Sequence, residues 1–195
     1  MWDIKYKDKI VLALRAKYEE KQLEDQPIGK DIRIGSKSIP LHRESFFQGK
    51  FSMQLPEIVK DMGALERTVK YRSENRPQII KTDRSADATF TFSILPPGDI
   101  AEEEDVLEKL LKIRGDMKRI WKQNVFYDMG KVEADTALTA WMDFRAFCLD
   151  GSLYGMIFLF ELKEETVLGN FHCSFSKYDI WKPAVLKLFT TIQID

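Results

Sequence analysis

Residues 138–175, "LTAWMDFRAFCLDGSLYGMIFLFELKEETVLGNFHCSF", decide the fold. The Asp150-Gly151 pair is a two-residue hairpin signal, because glycine accepts the positive φ that such turns require. With that pair as the turn, Leu149 faces Ser152, Phe147 faces Tyr154, Arg145 faces Met156, Asp143 faces Phe158 and Trp141 faces Phe160. One face of the hairpin is then crowded with aromatic rings. The other takes Met142, Phe144, Ala146 and Cys148 from the first strand and Leu153, Gly155, Ile157 and Leu159 from the second. An antiparallel sheet with one wet face alternates apolar and polar residues. Here both faces are apolar, so the pattern predicts a sheet covered on both sides.

A four-residue loop at "KEET", residues 163–166, pairs Leu162 with Val167 and returns a third strand. That register sets Phe171, Cys173 and Phe175 on the aromatic face and Asn170, His172 and Ser174 on the other. Neighbouring residues of a strand point to opposite sides, so His172 and Cys173 are not expected to meet as base and nucleophile. Cys148 and Cys173 also fall on opposite faces, which excludes a disulfide between them in this register.

Two helices are available to cover the sheet. Residues 100–122 carry a buried stripe of Val106, Leu110, Ile113, Met117 and Ile120, with Asp99 as N-cap and Glu102, Glu103 and Glu104 at the positive end of the helix dipole. Its C-terminal half holds Lys112, Arg114, Lys118, Arg119 and Lys122, which suit the negative dipole end and read as a solvated face. The second helix lies in "KYDIWKPAVLKLFTTIQID", with Asp179 as cap, Pro183 in the first turn, and Trp181, Val185, Leu188 and Ile192 on one face.

Upstream, "DIRIGSKSIPL" reads as an extended ribbon about Gly35, and Lys50 to Leu55 as a strand stopped by Pro56 and followed by a helical turn. Segments 77–82 and 88–95 form two strands joined by a polar turn, the second with Phe90, Phe92 and Ile94 buried and Thr89, Thr91 and Ser93 on a polar face. Before them, residues 4–23 show a helical stripe of Tyr6, Ile10, Leu14 and Tyr18, ended by Asp25, Pro27 and Gly29. The expected organisation is an N-terminal helical arm, residues 1–30, and a single α+β domain, residues 31–195, built on a central antiparallel β-sheet covered by helices on both faces.

Composition narrows function mainly by exclusion. The chain of 195 residues is 44% apolar and 31% charged with a formal net charge of -1, so neither disorder nor general attraction to nucleic acid is indicated. No run approaches the roughly 18 apolar residues of a membrane span, and the charged start lacks a signal-peptide core. Two cysteines without C-x-x-C spacing suit a reducing, cytoplasmic setting. No G-x-S-x-G elbow, phosphate loop or calcium loop is present. His42, His172, Cys148 and Cys173 have zinc-ligand atoms at the wrong spacing for a zinc site. No catalytic, cofactor or metal residue is therefore assigned.

The segments "FSMQLPEIVKDM", "RPQIIKTDRSADATFTFSIL", "LDGSLYGMIFLFEL", "GNFHCSF" and "IWKPAVLKLFTTIQI" follow one another in an order that resembles the PsbP/Mog-like fold family, which includes the DcrB-type bacterial proteins. The resemblance spans about Ile39 to Ile194 and leaves the N-terminal helix outside it. It implies a sheet between helices in proteins that mostly bind other proteins and perform no known chemistry. Its members include an extrinsic subunit of the photosynthetic oxygen-evolving complex, a Ran-GTPase-binding protein and chaperones for apolar segments of secreted bacterial effectors. The expected function is a non-catalytic protein- or peptide-binding module, chaperone-like or an accessory subunit. Its motivation is a surplus of large residues, particularly Trp2, Tyr6, Phe46, Phe47, Trp141 and Trp181, some of which are expected to be left over from the core for a partner surface; against it stands the reading that all six are core. The alternatives are a cysteine-dependent hydrolase and a protein that self-associates as a homodimer through the N-terminal helix.

Overall fold

The computed structural model describes residues 11, 13–15, 17–18, 21, 28–95, 105–149, 151–163 and 165–195. The chain is a mixed α+β protein dominated by antiparallel sheet. Where one central sheet was expected, the described residues form two.

The smaller sheet forms first in the chain. Strands β1 (Asp31–Ile34) and β2 (Lys37–Phe46) make a hairpin around Gly35, whose φ of 60° glycine adopts without a Cβ clash. β2 then pairs with β3 (Phe51–Pro56) across a tight turn in which Phe47, Gln48 and Gly49 all have positive φ. The terminal strand β11 (Gln193–Ile194) adds to β3 and closes the order β1-β2-β3-β11.

The larger sheet has the order β4-β5-β6-β10-β9-β8-β7. Its members are β4 (Lys60–Asp61), β5 (Ile79–Thr82), β6 (Thr89–Leu95), β7 (Val125–Glu133), β8 (Leu138–Cys148), β9 (Gly151–Glu161) and β10 (Thr166–Ser174). A short helix α1 (Ala64–Lys70) follows β4, α2 (Val106–Ile120) precedes β7, and α3 (Tyr178–Phe189) follows β10.

The β8–β9 hairpin keeps the expected faces but shifts its pairing. Cys148 pairs with Gly151 and Trp141 with Phe158, so Gly151, at φ 150°, opens the next strand rather than standing in the turn, and Leu149 lies beyond the last pair. The β9–β10 connection shifts in the same way, with Val167 opposite Phe160 and Leu162 N–H donating to the Glu165 carbonyl at 2.7 Å. Moving a turn by one residue displaces the pairing by two positions, which leaves every side chain on its predicted face. Gly169 lies opposite Phe158, and a Cβ at Gly169 would stand 2.1 Å from that ring, so the glycine admits the aromatic side chain across the strands.

On one face of the large sheet, Phe92, Phe158, Phe160 and Phe171 pack with Phe46, Phe51, Met53 and Leu55 of the small sheet and with Trp181, Val185 and Phe189 of α3. Phe158 and Phe189 approach to 4.5 Å between ring centroids, and Phe46 and Phe51 stack at 4.8 Å. On the opposite face, Val106, Leu110 and Met117 of α2 pack on Ala140, Met142 and Leu159. Burial of apolar area at about 25 cal/mol per Å² makes these two interfaces the main source of stability.

Several expectations are corrected. Asp105 rather than Asp99 caps α2, accepting from the Leu107 N–H at 3.4 Å, and Asp99 lies outside the described residues. Ile120 is exposed, because α2 ends as it leaves the sheet. Pro183 sits in the body of α3, which begins at Tyr178. Thr89 and Thr91 are buried, with Lys70 Nζ donating to Thr89 Oγ1 at 3.1 Å, so α1 closes over a face expected to be wet. Strand β7 has no counterpart in the sequence reading. Of the arm, residues 11, 13–15, 17–18 and 21 are helical, with Leu14 and Tyr18 exposed; Trp2, Tyr6 and Ile10 lie outside the described residues.

Candidate functional site

Four of the large residues read as surplus are not free for a partner. Phe46, Trp141 and Trp181 are buried in the main core, and Phe47 is half-buried against Phe51 at 6.0 Å. The correction has a physical origin: the small sheet supplies a second apolar layer, which absorbs rings that one sheet and two helices would leave uncovered.

The nucleophile candidates are separated as their strand positions require. Cys173 is buried on the aromatic face, and that burial pushes its thiol pKa well up, which disfavours the nucleophilic thiolate. Its neighbour His172 points to the opposite face, beside Thr89 and Gly155. Burial, helped by the positive charge of Lys70 and opposed by Asp87, lowers His172 to about 4. Cys148 is exposed at the β8–β9 tip, while the position facing His172 through Gly155 is Phe144, four residues away along β8. Four residues of strand span roughly 13 Å. His42 lies on β2 in the small sheet and contacts Glu44 at 3.2 Å. Among the described residues no group of His, Cys, Asp and Glu side chains is placed to hold a metal ion.

The densest charged constellation lies under α3. Asp143 on β8 is fully buried and accepts from the Asp128 N–H at 2.7 Å, the Tyr154 hydroxyl at 3.0 Å and Lys182 Nζ at 2.8 Å. Lys182 also reaches Asp128 at 2.6 Å and stands 5.2 Å above the Trp141 ring. Burial alone would lower the Lys182 pKa, but the Asp143 charge and the hydrogen bonds that Lys182 donates to both carboxylates outweigh it and leave it raised. A bulge in β7 makes this possible: Tyr127 and Asp128 together oppose Asp143, so Asp128 turns its N–H to one carboxylate and its own carboxylate to Lys182. The cluster is closed on itself and fastens α3 to β7 and β8.

The same bulge starts the open part of the molecule. Tyr127 is exposed and packs beside Phe175 at 6.3 Å, and Phe175 stacks on Tyr178 at 5.6 Å. Arg145 lies between two rings, 4.1 Å from Phe175 and 4.8 Å from Phe147. Phe147 is 45% exposed and Leu149, at the hairpin tip, is fully exposed. Across the edge strand, Ile120 and Trp121 end α2 with 62% and 45% of their surface exposed. The turn at 121–124, closed by the Asn124 N–H donating to the Trp121 carbonyl at 3.0 Å, leads into Val125, which pairs with Arg145. Sequence periodicity did not mark these residues, since strand and helix templates both assign such rings to a core; exposure at an element's end was the missing signal.

No family model matches the chain, and no curated protein matches it. Solved structures do. Cyanobacterial PsbP (CyanoP) from Synechocystis sp. PCC 6803 superposes with a TM-score of 0.58 at 10% identity, covering 88% of this chain and 99% of its own. LpqN of Mycobacterium tuberculosis, involved in cell envelope biogenesis, gives 0.48 at 12% identity over 85% of this chain and 99% of its own. PA94 of Pseudomonas aeruginosa, a protein of unknown function, gives 0.43 at 8% identity over 77% and 94%. The class defined by the sheets is an antiparallel α+β protein, and the CyanoP superposition narrows it: the chain has a PsbP-like fold. At such identity the likeness extends to the fold and not to function. No helix among the described residues is long and apolar enough to cross a membrane.

Proposed function

We propose that the chain is a non-catalytic protein- or peptide-binding module, chaperone-like or an accessory subunit, which docks its partner on the open end of the seven-stranded sheet. The observation that carries this reading is that exposed Ile120 and Trp121 on one side, and exposed Val125, Tyr127, Phe147 and Leu149 on the other, flank the start of edge strand β7. Large apolar groups gathered at one place on a surface mark interaction sites, and Trp, Tyr and Arg supply most of the binding energy at such sites. An edge strand also offers unpaired backbone groups to an added chain. The cytoplasmic setting belongs to the same proposal, since the two free thiols suit a reducing compartment.

The test compares what immobilised wild-type protein and a Trp121→Ser/Phe147→Ser variant capture from lysate, once matching melting curves show that both are folded. Protein species held by the wild type and lost with the variant support the docking end. Identical captured sets overturn it. A second reading, homodimerisation through the arm, draws on the exposed Leu14 and Tyr18 one helical turn apart. An unchanged number of chains per particle after removal of residues 1–30, read from the solution mass, would sink it.

A further inference from the structure

Resting on the docking-end reading above, we infer that the α2 side of that end is a groove for an acidic, apolar peptide segment. Lys118, Trp121, Lys122, Asn124 and Phe126 line an open depression of about 440 Å³ at the turn between α2 and β7. The Phe126 ring is half-buried and packs at 5.7 Å from Phe144, so it forms a fixed apolar floor. Lys118 Nζ stands 5.6 Å from the centre of that ring, and the Arg114 guanidinium 5.9 Å from it. Trp121 is the C-cap of α2, and its side chain remains 45% exposed beside the floor.

The charge of the groove is one-sided. Arg119 has its own carboxylate, Asp116, at 2.9 Å. Among the described residues, by contrast, no carboxylate lies within ion-pair distance of Lys118 or Lys122. Basic residues at the end of a helix suit its negative dipole pole. That accounts for the charge and leaves the adjoining open indole unexplained.

The occupant that satisfies both features buries apolar side chains against Trp121 and Phe126 while it brings carboxylates to Lys118 and Lys122. Asn124 adds an amide donor and acceptor, which a peptide backbone can use. The depression is concave and sized for a few side chains. That favours a peptide over a bilayer, which meets protruding groups, and over a nucleic acid, which needs a longer basic track.

Fluorescence anisotropy with the full chain tests this, using labelled GSEELFEDSG against its amide counterpart GSQQLFQNSG and the basic GSKKLFKKSG. The acidic peptide is expected to bind at least tenfold more tightly than the amide peptide at low salt, with the margin shrinking as salt screens the contact. Lys118→Glu with Lys122→Glu is expected to invert the preference toward the basic peptide. Lys118→Gln with Lys122→Gln is expected to abolish it, which keeps the test informative if the reversed variant does not fold.

Equal binding of acidic and amide peptides by the wild type, an undiminished preference in the glutamine variant, or no binding of any peptide overturns the inference. So does lysine-dependent binding to phosphatidylserine vesicles or to a single-stranded DNA oligonucleotide in place of the peptide. If the peptides bind equally and Trp121→Ala removes them all, the acidic specificity falls while the docking end stands.

Discussion

Two lysines of this protein stand over aromatic rings, and their surroundings separate the sealed part of the molecule from the open part. Lys182 is 3% exposed, 5.2 Å from Trp141, and held by Asp143 and Asp128. Lys118 stands 5.6 Å from Phe126 at the rim of a groove with no carboxylate partner among the described residues. The ring contact is similar in both, and solvent decides its consequence. A buried ammonium without its carboxylates costs several kcal/mol, whereas an exposed one keeps its hydration and is available to an incoming anion. The sealed site therefore acts on stability, and the open site is where we propose that binding occurs.

The comparison is broken most severely at Asp143. Asp143→Ala leaves Lys182 buried with one of its two carboxylates and frees the Tyr154 hydroxyl, and is expected to cost about 3–5 kcal/mol. Urea unfolding measures it, and a loss within the ±0.5 kcal/mol usual for surface changes would mean that the network is not sealed.

Acid provides the next largest effect. His172 titrates at about 4 in the folded chain against an ordinary 6.5, so the unfolded chain binds the extra proton first. Stability is expected to fall as pH drops from about 6.5 toward 4, by about 3 kcal/mol for a shift of that size. His172→Asn should flatten that part of the stability profile; an unchanged slope would show that other groups produce it.

Gly169→Ala probes the sealed face sterically, because the added methyl meets the Phe158 ring. A cost of about 1–3 kcal/mol is expected, read as a lowered melting temperature. At the open end, Trp121→Ala is expected to change stability by no more than about 0.5 kcal/mol while reducing partner capture. A large loss of stability there would place Trp121 in the core and weaken the contrast.

Legibility in the sequence divided along similar lines. Alternation through residues 138–175 placed Trp141, Phe171 and Cys173 on one face and His172 on the other, and the structure keeps those assignments because the period of a strand is fixed at two. The hairpin pairing is displaced by two positions from the Asp-Gly expectation, because Gly151 enters the strand opposite Cys148. Strand β7 was missed because its bulge at Tyr127 and Asp128 interrupts alternation where a template would look for it. The candidate site is the least legible: Trp141 and Trp181, part of the apparent surplus of large residues, are buried, whereas Trp121 is exposed and its sequence neighbourhood does not set it apart.

Local periodicity and turn chemistry were thus enough to determine an antiparallel α+β chain, the faces of its central meander and the separation of His172 from Cys173, because each depends on residues near one another in sequence. Tertiary structure alone decided that β1, β2, β3 and β11 form a second sheet, that Lys182 meets Asp143 across 39 positions, and that the rings at the end of α2 remain uncovered. Burial is a property of what lies opposite a residue in space, and for these residues the opposing element, or the lack of one, is set by segments far away along the chain.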